Sequence, residues 1–192
     1  MTYEELKIQL DINDPAGVLR SVGLSRGRNW LVVCDDGDCH LLDKHGKELD
    51  IKQLDAIEDY AFCGCVSLKR INIPSDVKSI GRRAFAHCTS LKSIKISSGV
   101  KSIGESAFAY CHNIKSIELP SSVKRINWYA FYNCNSLKSI KVPESVWYIG
   151  AGAFSYCDNL KSIVFRGRTL EQVRAMASYP WGIKDESTII CA

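Results

Sequence analysis

A unit of 23 residues repeats five times through the middle of this 192-residue chain, and no other feature restricts its folding as much. Stepping by 23 aligns Ile57, Ile80, Ile103, Ile126 and Ile149, then Phe62, Phe85, Phe108, Phe131 and Phe154. The same step aligns Cys65, Cys88, Cys111, Cys134 and Cys157, and Ile71, Ile94, Ile117, Ile140 and Ile163. Apolar residues at fixed offsets, with a period in the twenties, specify coils stacked along an axis. Within a copy, Leu91-Lys92-Ser93-Ile94-Lys95-Ile96 alternates, so Leu91, Ile94 and Ile96 face inward and successive copies line up as a parallel sheet. Ala84, Phe85 and Cys88 belong to a turn-rich returning arm, where a short 3₁₀ or helical turn is expected. A single coil buries too few apolar side chains to offset the ordering of its backbone, so the copies must stack.

Such a stack has two raw ends, and the flanking sequence supplies a cover for each. At the front, Thr2-x-x-Glu5 reads as a capping box for a helix over 3–9. Asp14-Pro15 and Gly23 bracket a second helix over 15–22. Residues 30–34 and 39–43 flank the polar turn Asp35-Asp36-Gly37-Asp38 as a hairpin, with a third short strand near 48–51. At the back, Thr169-x-x-Gln172 opens a helix running to about 177. Residues 187–191 read as extended, and Trp181 is the expected plug over the last core layer. The expected class is α/β: a solenoid of about five coils (54–165) with a parallel sheet face, an N-terminal helix and hairpin cap (1–53) and a C-terminal helical cap (166–192).

Charge divides along the same boundaries. Residues 1–56 carry 7 Lys and Arg against 11 Asp and Glu, a net of −4, whereas residues 57–165 carry 14 against 7, a net of +7. The solenoid is therefore basic and permits an anionic partner. No apolar run approaches the roughly 18 residues of a membrane helix. The opening Met1-Thr2-Tyr3-Glu4-Glu5 lacks a basic region followed by an apolar stretch. A cytoplasmic protein is expected on this ground, with the cell surface as the alternative if a signal has been removed.

The nine cysteines resemble a disulfide framework until their spacing is read. Five share one repeat position and should form an inward column of small, free, apolar thiols. Cys34, Cys39, Cys63 and Cys65 match usual zinc spacings poorly, and Asp35-Asp36-Gly37-Asp38 lacks the calcium-loop pattern. His40, His45, His87 and His112 share no repeat position, and no phosphate loop or nucleophile elbow is present. No cofactor, metal or catalytic residue is expected.

Two sets of outward positions remain as candidate contacts. Lys69, Lys92, Lys115, Lys138 and Lys161 fall one coil apart on the sheet face, with Lys95 and Lys141 beside them. Lys78, Lys101 and Lys124 make a second column near the coil corner. Neighbouring like charges repel by only about 0.5–1 kcal/mol in water, so the column is tolerable without a ligand, and a solubilising face explains it before a partner does. An acidic protein surface is the favoured partner over nucleic acid, because no aromatic residue interrupts the first column. The second set breaks the pattern: Trp128, Tyr129, Tyr132, Trp147 and Tyr148 stand where earlier copies have Arg82, Arg83, Ala86, Lys101 and Ser102. Packing under the C-terminal cap and an exposed interface remain alternatives for them. Trp147 follows Lys124 by one coil, which suggests a cation–π pair.

The pattern Ile-Gly-x-x-Ala-Phe-x-x-Cys-x-x-Leu-Lys-Ser-Ile-x-Ile-Pro resembles the leucine-rich repeats of the BspA-like, Treponema-type class. Pro74, Pro120 and Pro143 hold the proline of that motif, and Ser97 and Arg166 replace it. The resemblance covers residues 54–192, and the tail from Phe165 to Cys191 is similar to the ending many such arrays carry. Residues 42–48 are similar to the hairpins of WG-type repeats. This resemblance implies a curved leucine-rich-repeat solenoid that acts as a binding module, related to surface or secreted adhesion proteins of bacteria and some protists, with no shared catalytic residues. The expected function is a non-enzymatic protein-interaction module, monomeric or weakly oligomeric. An anion or nucleic-acid binder through the lysine columns and a structural or adhesive surface protein are the alternatives.

Overall fold

The computed structural model describes residues 55–66 and 68–192 in full and, before them, the backbone of residues 24–25, 28–35, 38–43 and 48–49. The helices expected over 3–9 and 15–22 lie outside the described residues. Strands β1 (Leu24–Ser25), β2 (Arg28–Asp35), β3 (Asp38–Asp43) and β4 (Glu48–Leu49) form an antiparallel sheet in that order. The β2–β3 hairpin places Cys34 opposite Cys39.

From residue 55 the chain winds as a parallel β-solenoid with three hydrogen-bonded walls. The first wall is built from two-residue strands: β5 (Ala56–Ile57), β7 (Ser79–Ile80), β9 (Ser102–Ile103), β11 (Arg125–Ile126) and β13 (Tyr148–Ile149). The second is built from longer strands in two parallel sheets. One pairs β6 (Arg70–Ile73) with β8 (Ser93–Ile96). The other runs through β10 (Ser116–Glu118), β12 (Ser139–Val142), β14 (Ser162–Phe165) and β15 (Ile189–Cys191). Pairing advances by one repeat at each step, as Ile71 with Ile94 and Ile117 with Ile140 and Ile163. One residue of slip would turn the isoleucines outward, so the buried face holds the register. Strand β15 adds a rung without carrying the motif, so the stack has about six turns rather than the five read from the repeat.

The third wall is the returning arm, and here the expected helical turn does not form. The backbone is left-handed at Tyr60, Arg83, Ser106, Tyr129 and Gly152, and again at Gly64, His87, Tyr110, Asn133 and Tyr156. Two such residues in each arm are incompatible with a right-handed helix. Successive turns instead aim alternate N–H groups at the next coil: Arg83, Phe85 and His87 donate to the carbonyls of Glu105, Ala107 and Ala109, each at 2.8 Å. The described residues are therefore nearly free of helix, less α/β than expected.

Inside the three walls the repeat positions become columns. Phe62, Phe85, Phe108, Phe131 and Phe154 stack with centroids 5.0, 5.3, 5.5 and 5.7 Å apart and rings within 9° of parallel. The thiols of Cys88, Cys111, Cys134 and Cys157 donate to the carbonyls of Phe62, Phe85, Phe108 and Phe131 at 2.9, 3.0, 3.1 and 3.0 Å. They are donors between coils as well as small core residues, and none of these four forms a disulfide. Burial pushes the Cys111 and Cys157 thiols up to about 12. After the last coil, Thr169 and Gln172 form the expected capping box on helix α1 (Leu170–Arg174), which is shorter than the sequence suggests. Trp181 is 1% exposed and lies 5.7 Å from Phe165.

Candidate binding surfaces

Three surfaces carry the outward residues singled out above. On the sheet face, Lys69, Lys92, Lys115, Lys138 and Lys161 are all exposed. Backbone bonds of 2.8–2.9 Å join Lys92 to Lys69, Lys138 to Lys115 and Lys161 to Lys138, so the column exists as the spacing requires. Lys95 and Lys141 are exposed too, but Glu118 stands between them in the stack and pairs with Lys141 at 3.8 Å. This face is thus mixed in charge beside the lysine column. It is also discontinuous, since the paired strands end at β8 and resume at β10. A shallow groove of about 480 Å³ lies there, lined by Ile94, Ile96, Leu119 and Val142 among others.

The aromatic residues expected to form one patch separate into two. Trp128 and Tyr129 sit on the turn arm, half exposed, each with one face on a glycine of the next coil. A Cβ at Gly150 would come within 2.4 Å of Trp128, and one at Gly152 within 2.4 Å of Tyr129. Tyr132 lies beside Tyr129 at 5.7 Å and continues into rings the sequence reading left out. His87 stacks on Tyr110 at 4.4 Å, Tyr110 meets Tyr132 at 5.4 Å, and Tyr132 meets Tyr156 at 5.2 Å, the last two edge to face. The rings thus run along the solenoid axis as one track.

The track borders an open groove of about 690 Å³, lined also by Arg83, Ser106 and Ser155. Its floor is Ala86 and Ala109, which occupy the repeat position that Tyr132 fills one coil later. The groove is therefore made by two small residues followed by a large one. Burial, then the nearby Arg83, holds His87 below its ordinary value, so it is neutral at pH 7. Partial desolvation and the neighbouring phenols raise Tyr132, which stays a hydroxyl. The lining contains no carboxylate.

Trp147 and Tyr148 lie elsewhere, on the two-residue strand wall. Trp147 is 57% exposed and follows Lys78, Lys101 and Lys124 in register, its N–H bonded to the Lys124 carbonyl at 3.0 Å. The cation over its ring is Arg125 rather than Lys124: the guanidinium lies 5.1 Å from the indole centroid and 4.9 Å from that of Tyr148. Among the described residues, no group of three His, Cys, Asp or Glu side chains converges as a metal site would require, and no helix is long and apolar enough to cross a membrane.

The coil geometry agrees with the sequence comparison. The profile of the BspA type leucine rich repeat region matches residues 55–178 with six copies. The chain belongs to this family. A leucine-rich repeat protein from Bacteroides ovatus is 34% identical over 67% of this chain and 31% of its own, with a TM-score of 0.58. A leucine rich cell surface protein from Faecalibacterium prausnitzii is 29% identical over 77% of this chain and 42% of its own, with a TM-score of 0.63. A T. pallidum leucine rich repeat protein is 30% identical over 75% of this chain and 71% of its own, with a TM-score of 0.59. The chain thus spans less than half the length of the first two. No curated protein matches it. BspA-type repeats are generally non-catalytic.

Proposed function

We propose that this chain is a non-enzymatic protein-binding module and that the tyrosine groove of the turn arm is its main contact surface. One observation carries this reading: five aromatic rings, His87, Tyr110, Tyr129, Tyr132 and Tyr156, gather around one open groove. The stacking of coils requires none of them there, since the core is complete without them. Tyrosine supplies large contact area and a hydroxyl at small entropic cost, which is why it concentrates at interfaces. The lysine column of the sheet face is the secondary surface, suited to acidic groups on the same partner. A relative named as a cell surface protein supports placement at the surface over a cytoplasmic one. In this reading residues 166–192 close the stack: the Phe154 N–H donates to the Trp181 carbonyl at 3.0 Å, in place of a further coil.

Affinity capture with the wild type and a Tyr110→Ala/Tyr132→Ala variant tests the groove. A partner held by the wild type and lost by the variant, with melting temperature unchanged, supports it. A partner retained equally by both refutes it.

A further inference from the structure

The second lysine column, unlike the one on the sheet face, ends at an aromatic residue. That column runs Lys78, Lys101, Lys124, joined by backbone bonds of 2.8 Å, and its next position is Trp147. All three lysines are exposed, at the spacing of about 4.8 Å that parallel strands impose. Lys78 reaches the Ser75 carbonyl at 3.3 Å, and the described residues show no ion pair to Lys101 or Lys124. Asp55 precedes Lys78 in the same column, so the negative end lies away from the tryptophan. At the other end, Arg125 lies against both Trp147 and Tyr148. With Arg125 on one face and 57% of the residue exposed, the indole keeps a face open to solvent.

We propose that the Lys78–Lys101–Lys124 file and the Trp147–Arg125–Tyr148 cluster together form a site for single-stranded nucleic acid. A file of cations one residue wide follows one phosphate backbone, not the two of a duplex. Proteins that hold single strands without reading sequence combine a basic track with an aromatic platform on which a base stacks. Here the platform stands at the end of the track, and Arg125 behind the indole extends the stack and adds a cation. A sulfated polysaccharide would use the lysines equally well, but it has no flat base to place on the open indole. This site is separate from the tyrosine groove, so the two readings stand or fall independently.

Fluorescence anisotropy of a labelled oligothymidylate, titrated at several salt concentrations, tests the proposal on the full chain. Three phosphate contacts give a log–log salt slope of about −2, at about −0.7 per contact on a single strand. Lys101→Ala should make that slope shallower by about 0.7. Trp147→Ala should weaken binding about 5- to 150-fold, the loss of one stacked base, and leave the slope unchanged. Both side chains are exposed, and an unchanged melting temperature confirms that the variants fold. Tyr132→Ala should bind as the wild type does. Absence of binding at low salt overturns the proposal. So does binding that Trp147→Ala leaves intact while heparin binds as tightly, because the site then answers to charge alone.

Discussion

The cysteine ladder makes a quantitative prediction at alkaline pH. The Cys111 thiol donates to the Phe85 carbonyl, is fully buried, and is pushed up to about 12 from an ordinary value near 9. Because the folded value lies above the unfolded one, its contribution to stability is complete below pH 9 and is lost as pH rises toward 12. The loss is about 1.4 kcal/mol per pH unit, or about 4 kcal/mol across the window, for this one thiol. Total stabilities are on the order of 5–15 kcal/mol, so the effect is measurable well before the upper limit. Urea denaturation followed by circular dichroism between pH 8 and 11 should show stability falling less steeply in Cys111→Ala than in the wild type. At pH 8 only about one Cys111 thiol in ten thousand is ionised, so peptide-resolved alkylation should mark exposed Cys191 long before Cys111. Parallel stability curves for the two proteins, or equal alkylation of the two thiols in the native state, would refute the reasoning.

Three further outcomes follow from the packing. Trp181→Ala should cost about 3–5 kcal/mol in urea unfolding, since the indole is buried against Phe165 and Tyr179; a loss under 1 kcal/mol would remove it from the core. Gly99→Ala should lower the melting temperature, because the new Cβ falls 1.8 Å from the Ser75 carbonyl oxygen. At the equivalent position one coil on, Ser122→Ala removes only a 2.6 Å bond to the Val100 carbonyl and should cost about 1 kcal/mol. On the acid side, hydrogen bonds from Arg174 and Tyr179 hold Glu186 down at about 2. Its contribution is present above the usual carboxylate range and fades as pH falls from about 4 toward 2, so Glu186→Gln should flatten that acid limb in thermal melts.

What was legible in the sequence was what repeats. The inward columns of Ile, Phe, Cys and Leu follow from the 23-residue step, because burial forces each to the same side in every coil. The arm was less legible: an Ala-Phe pair beside a Cys fits a helical turn, and only the backbone reveals left-handed residues at Arg83 and His87. Those residues are not glycine, so composition gave no warning. The groove was half legible. Tyr129 and Tyr132 depart from the second copy and stand out, whereas His87, Tyr110 and Tyr156 share a position with Asn133 that has no consensus from which to depart. The partner of Trp147 was misassigned for a related reason. The 23-residue step names the residue below it, Lys124, but the guanidinium one position along the strand, on Arg125, is the group that lies over the ring.

A solenoid of this kind separates the residues that hold it together from those that meet a partner more sharply than a globule does. Each coil must present the same inward set to its neighbours, so the core cannot vary without breaking two interfaces at once. Outward positions carry no such constraint, and there this chain is least regular. Arg83, Ser106, Tyr129 and Gly152 occupy one position in four successive coils. The turn arm tolerates this because the rungs at these positions are backbone bonds, from N–H to the carbonyl of the next coil. Side chains there can change without loss of a rung, provided they accept a left-handed backbone. That freedom explains why the ring track runs along the arm. It also predicts that exchanging Tyr132 for Ala, the residue found at that position in two earlier coils, should leave the melting temperature nearly unchanged while it empties the groove of its central wall. A large fall in melting temperature would show instead that the rings support the stack, and the groove would lose its standing as a binding surface.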